Sequence, residues 1–268
     1  GFSHQFLHWQ KMKAEGKEFK PIFGVEAYFL PSIEEWQEEY DRIKADAKLA
    51  KTLAKAGDTS GATVEDEEAS KKAVKSVINR RRHLVLLAQN QTGLNNLFKL
   101  ISESYREENF YRYPRVDYKL LDKYSEGVIA SSACLGGPYA GNYWANREEG
   151  PEAVMDAMRE TSRRFVEIFG DRWYGELQWN NIPEQHELNQ YIIKVCKEFD
   201  ITLISTADSH YPNTEAWKDR ELYKRLGWLG KGTPAWAEDN TELPEGVEEI
   251  GYELYPKNGN QMWDAYKY

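Results

Sequence analysis

Short apolar, β-rich runs alternate along this chain with longer stretches of helical spacing, and that alternation restricts it to α/β architectures. The runs fall at 21–30, 83–88, 127–130, 173–178 and 201–207, with helical patterns over about 3–16, 91–108, 151–169 and 183–199. Strands separated by helices of this length predict one sheet or barrel carrying helices on its faces. With 268 residues, 41% of them hydrophobic, the chain is large enough to bury a core of that kind.

Residues 31–80 interrupt the rhythm. Ser32 followed by Glu35 reads as a capping-box start, and Ile33, Trp36, Tyr40, Ile43, Ala47, Ala50 and Ala54 recur at helical spacing. A turn cluster at 57–61 precedes a second pattern from Thr63 and Asp66 through Ala69, Ala73 and Val77. The expectation is an inserted helical hairpin with Trp36, Tyr40, Ile43 and Val77 packed mainly on each other, a solvated decoration rather than a binding arm. Arg80, Arg81 and Arg82 suit the C-terminus of its second helix, with a phosphate contact as the alternative. Over 228–256 only loops and a short strand near 252–255 are expected. Both ends read as cut from a longer protein, since Gly1 leads directly into a helical pattern and an amphipathic turn over 261–266 stops at the C-terminus.

Charge and cysteine content exclude several classes. A net charge of −9 argues against a nonspecific electrostatic surface for nucleic acid, so any strand must be held by metal ions, by a small basic patch or by a neighbouring domain. Two cysteines, Cys134 and Cys196, make no disulfide framework, and reducing cytoplasmic conditions are the expectation. No apolar run is long enough to span a bilayer, so no membrane partner is expected.

The chemistry-bearing residues sit where strands end. The run 201–207 reads as buried and leads into Asp208 and His210, which project from one face and suggest metal ligation; a loop Asp capping the next helix beside a packed His is the alternative. Along 21–30 the odd positions Phe23, Val25, Ala27 and Phe29 are apolar, leaving Glu26 with Tyr28 on the other face. A mid-strand Glu is expensive to bury unless it is ion-paired or metal-bound, and both readings stand. His83 opens its strand, so antiparallel pairing across the insertion would bring it to the same end as Glu26. Cys134 follows a strand and precedes Gly136 and Gly137, which permit close backbone approach, whereas Cys196 lies mid-helix and reads as core. Carboxylate, imidazole and thiol donors together suit zinc, or zinc combined with manganese or iron.

Several segments carry a family resemblance in order: Lys20-Pro-Ile-Phe-Gly-Val-Glu-Ala-Tyr28, Arg82-His-Leu-Val-Leu-Leu-Ala88, Tyr113-Pro-Arg-Val-Asp117, Ser125-Glu-Gly-Val-Ile-Ala130, Cys134-Leu-Gly-Gly137, Leu177-Gln178, Pro183-Glu-Gln185 and Ala207-Asp-Ser-His-Tyr211. Together they resemble the polymerase and histidinol phosphatase (PHP) domain of the bacterial DNA polymerase III alpha subunit. The long charged insertion resembles phage relatives, and the stretch 252–268 resembles the connection to a polymerase domain. The resemblance implies one domain over 1–268, a distorted (β/α)7 barrel lacking its N-terminal part, and up to three zinc or manganese ions. It implies Glu26, His83, Cys134, Asp208 and His210 as metal ligands, with Glu26 and Asp208 catalytic. The family's opening H-x-H, its following Asp and its T-D-H-G motif have no counterpart here, and His4 and His8 do not replace them. About one complete metal site is therefore implied.

Two functions follow from the resemblance. One is a metal-dependent phosphoesterase acting as a 3′–5′ exonuclease in DNA replication, not fully competent as this fragment, with Arg115 as a phosphate contact or, equally, a structural ion pair. The other is an inactive platform that steadies the polymerase and docks a proofreading partner. The implied partners are primer-template DNA, through the parent polymerase, and proofreading and clamp subunits.

Overall fold

The computed structural model describes residues 2–55, 81–226 and 253–267. They are mixed α and β, as the alternation predicts. The chain divides into two compact units, one of Gly1–Pro138 with Arg163–Trp173 and one of Tyr139–Ser162 with Tyr174–Tyr268.

The first unit opens with α1 (Phe2–Ala14) and β1 (Gly24–Phe29), followed by α2 (Ile33–Lys55), β2 (Arg82–Ala88) and α3 (Gln91–Ser104). A minimal hairpin, β3 (Phe110–Tyr111) and β4 (Tyr113–Pro114), then leads to α4 (Tyr118–Tyr124) and β5 (Val128–Ser131). β2 lies between β1 and β5 and is antiparallel to both, with Glu26 opposite Val85 and Tyr28 opposite His83. Leu84 and Leu86 point to the covered face and are fully buried, as the two-residue period of a strand requires. Leu97 and Leu100, one turn apart on α3, are equally buried, and the Asn90 side chain caps that helix through the Gly93 N–H. Phe165 stacks on Trp173 with ring centroids 4.1 Å apart and also touches Phe29, adding an aromatic layer.

α2 begins inside this unit. Leu30, Ile33, Trp36 and Tyr40 form a buried cluster with Ile43, Tyr111 and Leu120 against it. The Asp117 carboxylate accepts the N–H of Ile33 at 3.2 Å and that of Leu120 at 2.9 Å, so one side chain caps both α2 and α4. The Ser32 hydroxyl accepts the Glu35 N–H, one half of the expected capping box. Within this unit Trp36 and Tyr40 pack on Tyr111, and the Arg115 guanidinium covers Trp36. Val77 and the second helix lie outside the described residues, as do 228–252.

The second unit holds α5 (Pro138–Asn146) apart from its first residue, the first part of α6 (Pro151–Phe169), and β6 (Trp173–Leu177) from its second residue. It continues with α7 (Pro183–Glu198), β7 (Thr202–Ser205), α8 (Trp217–Leu226) and α9 (Gly259–Ala265). β6 and β7 run parallel, as a crossover through α7 requires. The 201–207 run is not buried as expected: Thr202, Leu203 and Ser205 of β7 are exposed. Over Glu253–Tyr255 the backbone is irregular rather than a strand, and the Leu254 carbonyl accepts from the N–H groups of His210 and Tyr211. Cys196 is fully buried mid-helix as expected, and burial alone pushes its thiol up to about 12.

Candidate metal centre

In the first unit the register of β1 and β2 brings Glu26 and His83 together, and the turn after β5 adds Cys134. Glu26 and His83 are diagonal neighbours on one face, and His83 Nδ1 lies 2.6 Å from Glu26 Oε1. Cys134 Sγ lies 3.5 Å from the same nitrogen. Glu26 is 48% exposed and His83 38%, so the cluster is reachable from solvent and Glu26 is not the buried mid-strand acid that the sequence left open.

The turn after β5 holds the thiol in place. Ala133 has φ of 56°, a left-handed conformation that a non-glycine residue adopts at a cost of about 1–3 kcal/mol. A Cβ on Gly137 would sit 1.9 Å from the Ser132 carbonyl oxygen, so no side chain fits there. Gly136 passes under the imidazole: its carbonyl accepts the backbone N–H of His83 at 2.9 Å and its own N–H donates to Cys134 Sγ at 3.4 Å. The paired glycines do here what the sequence suggested, allowing the backbone to close against a strand.

Hydrogen bonds to Cys134 and then to Glu26 hold His83 up at about 10, outweighing its partial burial. Binding a cation there requires the neutral ring and therefore the release of that proton. Among the described residues no group of three or more His, Cys, Asp and Glu stands ready as a cation cage, the present three being closed on one another by hydrogen bonds. The donor chemistry nevertheless fits: oxygen, nitrogen and sulfur donors from three separated segments converge on one ring atom, a set suited to zinc.

In the second unit Asp208 and His210 follow β7. Asp208 adopts φ of 45°, and His210 Nδ1 lies 3.9 Å from its Oδ1 and 2.5 Å from its backbone oxygen. The turn before α8 is held by Asn213, whose side chain accepts from the N–H groups of Glu215 and Ala216. Sequence reasoning missed Glu176, a buried β6 carboxylate that accepts the Thr206 hydroxyl and so braces the segment entering Asp208. Its only sequence signal was an acidic residue in an otherwise apolar strand.

Arg115 stands elsewhere. It is 4% exposed, its Nε donates to the Asn109 carbonyl at 3.0 Å, and its guanidinium lies 4.0 Å over the Trp36 ring. Burial lowers its pKa to about 10. It is enclosed in the core around α2 rather than presented to a phosphate.

The PHP domain family model matches residues 4–180, and the chain belongs to the PHP domain family. It is 39% identical over 210 residues to DNA polymerase III subunit alpha of Aquifex aeolicus, covering 78% of this chain and 15% of that protein. Against DNA polymerase III subunit alpha of Borreliella burgdorferi it is 36% identical over 254 residues, covering 95% of this chain and 18% of that protein. The chain thus spans well under two thirds of the length of the curated relatives it matches.

Proposed function

We propose that this chain is the PHP domain of a replicative DNA polymerase alpha subunit, and that its site is a metal-dependent phosphoesterase of the 3′–5′ exonuclease type. The observation that carries the reading is the meeting of Glu26 Oε1 and Cys134 Sγ at His83 Nδ1. Glu26, His83 and Cys134 would hold one zinc or manganese ion, and Asp208 and His210 would serve further ions. When bound, such an ion would polarise a phosphoryl oxygen and make water a stronger nucleophile. Glu26 is half exposed, so as a ligand it would hold the ion where water reaches it. His83 and Cys134 fix the donor geometry through the Gly136 backbone. The implied partners are primer-template DNA reached through the parent polymerase, with proofreading and clamp subunits beyond it, and the complete (β/α)7 barrel belongs to this reading.

A second reading has an observation of its own. The closed hydrogen bonding around His83 suits a domain that no longer hydrolyses anything and serves as a platform for a proofreading partner. The two are separated by assaying the full-length parent on a mispaired 3′ end with added zinc or manganese. The catalytic reading expects cleavage that Asp208→Asn abolishes while polymerisation continues, and little cleavage by this chain alone. A parent inert with every metal leaves only the platform.

A further inference from the structure

Beside the Glu26–His83 cluster the chain displays rings that nothing above uses. The stretch from Tyr105 to Tyr113 carries aromatics at 105, 110, 111 and 113, and the β3–β4 hairpin turns at Arg112, whose φ is 59°. Tyr111 faces inward against Trp36 and Tyr40, whereas Tyr105, Phe110 and Tyr113 remain 62%, 40% and 38% exposed. The rings form two contacting sets. Tyr105 stacks on Phe110 with centroids 5.8 Å apart, Tyr113 meets Tyr28 at 5.3 Å, and Tyr28 meets the His83 ring at 5.7 Å. A hollow of about 170 Å³ joins them, and Glu26, Tyr28, Tyr105 and Pro114 are among its walls.

One cation on this surface is placed with the rings. The Arg81 guanidinium lies 4.2 Å from the Tyr113 centroid and 5.1 Å from that of Tyr28, whereas Arg112 at the hairpin tip lies over the inward-facing Tyr111 ring. The carboxylates of the same stretch face elsewhere: Glu107 and Glu108 line a separate cleft with α2, and Glu103 is paired with Arg106 at 3.0 Å. In a chain of net charge −9, a patch of flat rings with a guanidinium group beside them selects a ligand that alternates flat apolar faces with anions. A single nucleic-acid strand has that chemistry, whereas a duplex keeps its base faces stacked inside.

We infer that Tyr28, Tyr105, Phe110 and Tyr113, with Arg81, form a stacking platform for single-stranded DNA that leads a strand end to Glu26 and His83. This deepens the phosphoesterase reading and rests on it for the fate of that end, but binding itself needs no catalysis. The test is fluorescence anisotropy of the 268-residue chain in EDTA at low salt, with a labelled oligothymidylate of about twelve nucleotides. The single strand should bind roughly tenfold more tightly than an abasic strand of equal length and than a duplex of that sequence. Tyr105→Ala and Tyr113→Ala should each weaken binding by about tenfold, and the Phe variants should keep it. Equal binding of the abasic strand or the duplex overturns the platform without recourse to any variant that could misfold, as do unchanged Ala variants. If binding holds and the parent never hydrolyses, the platform stands and the phosphoesterase reading falls. If hydrolysis holds without base-dependent binding, the platform alone falls.

Discussion

Glu26 and His83 lie diagonally across the antiparallel ladder of β1 and β2, and the carboxylate meets the imidazole Nδ1 at 2.6 Å. If this pair holds an ion, removing the carboxylate charge should weaken zinc binding by roughly 10–100-fold without unfolding the chain. Calorimetric zinc titration of the wild type should give one ion or fewer per chain, and Glu26→Gln should show the weakening. Equal zinc affinity in both proteins would remove Glu26 from the site.

Asp117 caps two helices at once, so its loss should cost more than a single cap. Asp117→Ala is expected to destabilise the protein by about 2 kcal/mol, twice a typical cap, and Asp117→Asn by less. Urea unfolding followed by circular dichroism reads the difference directly. An effect below about 0.5 kcal/mol would mean the two bonds are not made in solution.

Trp36 decides whether α2 is decoration or core. Its ring is 6% exposed and covered by the Arg115 guanidinium and by Tyr40, which stacks at 5.2 Å. Trp36→Ala should therefore cost about 3–5 kcal/mol and lower the thermal midpoint. A midpoint unchanged in differential scanning calorimetry would mark α2 as a detachable excursion.

The two thiols should separate by reactivity. Cys196 is buried with its thiol raised to about 12 from an ordinary value near 9, whereas Cys134 is only partly buried. A disulfide reagent at pH 8 should titrate one thiol in the native chain and both in urea. Because the folded-state value is the higher one, Cys196 adds stability below pH 9, and this contribution is lost as the pH rises from 9 towards 12. Cys196→Ala should accordingly show a weaker alkaline loss of stability than the wild type. Rapid native modification of both thiols would contradict the burial of Cys196.

Much of the candidate site was legible because strand periodicity is local. Alternation along β1 put Glu26 and Tyr28 on one face, and the position of His83 at the start of β2 made antiparallel pairing the arrangement that unites them. Gly136 and Gly137 announced a tight turn beside Cys134, and the mid-helix setting of Cys196 announced core. The PHP resemblance rested on short segments whose residues are constrained by these same turns and strand ends.

What the sequence by itself determined, then, was which residues lie on which face of which element, because φ/ψ preference and side-chain period act over a few neighbours. Only the tertiary structure decided which faces meet. His83 and Cys134 are 51 residues apart, and Tyr40 and Tyr111, whose hydroxyls lie 2.6 Å from each other, are 71 apart. Such pairs depend on the packing of whole elements, which no local pattern encodes. The same reason hid Arg115 beneath Trp36, left Thr202, Leu203 and Ser205 of β7 exposed, and gave Asp117 a second helix to cap. Each outcome was set by what another segment brought to the same space.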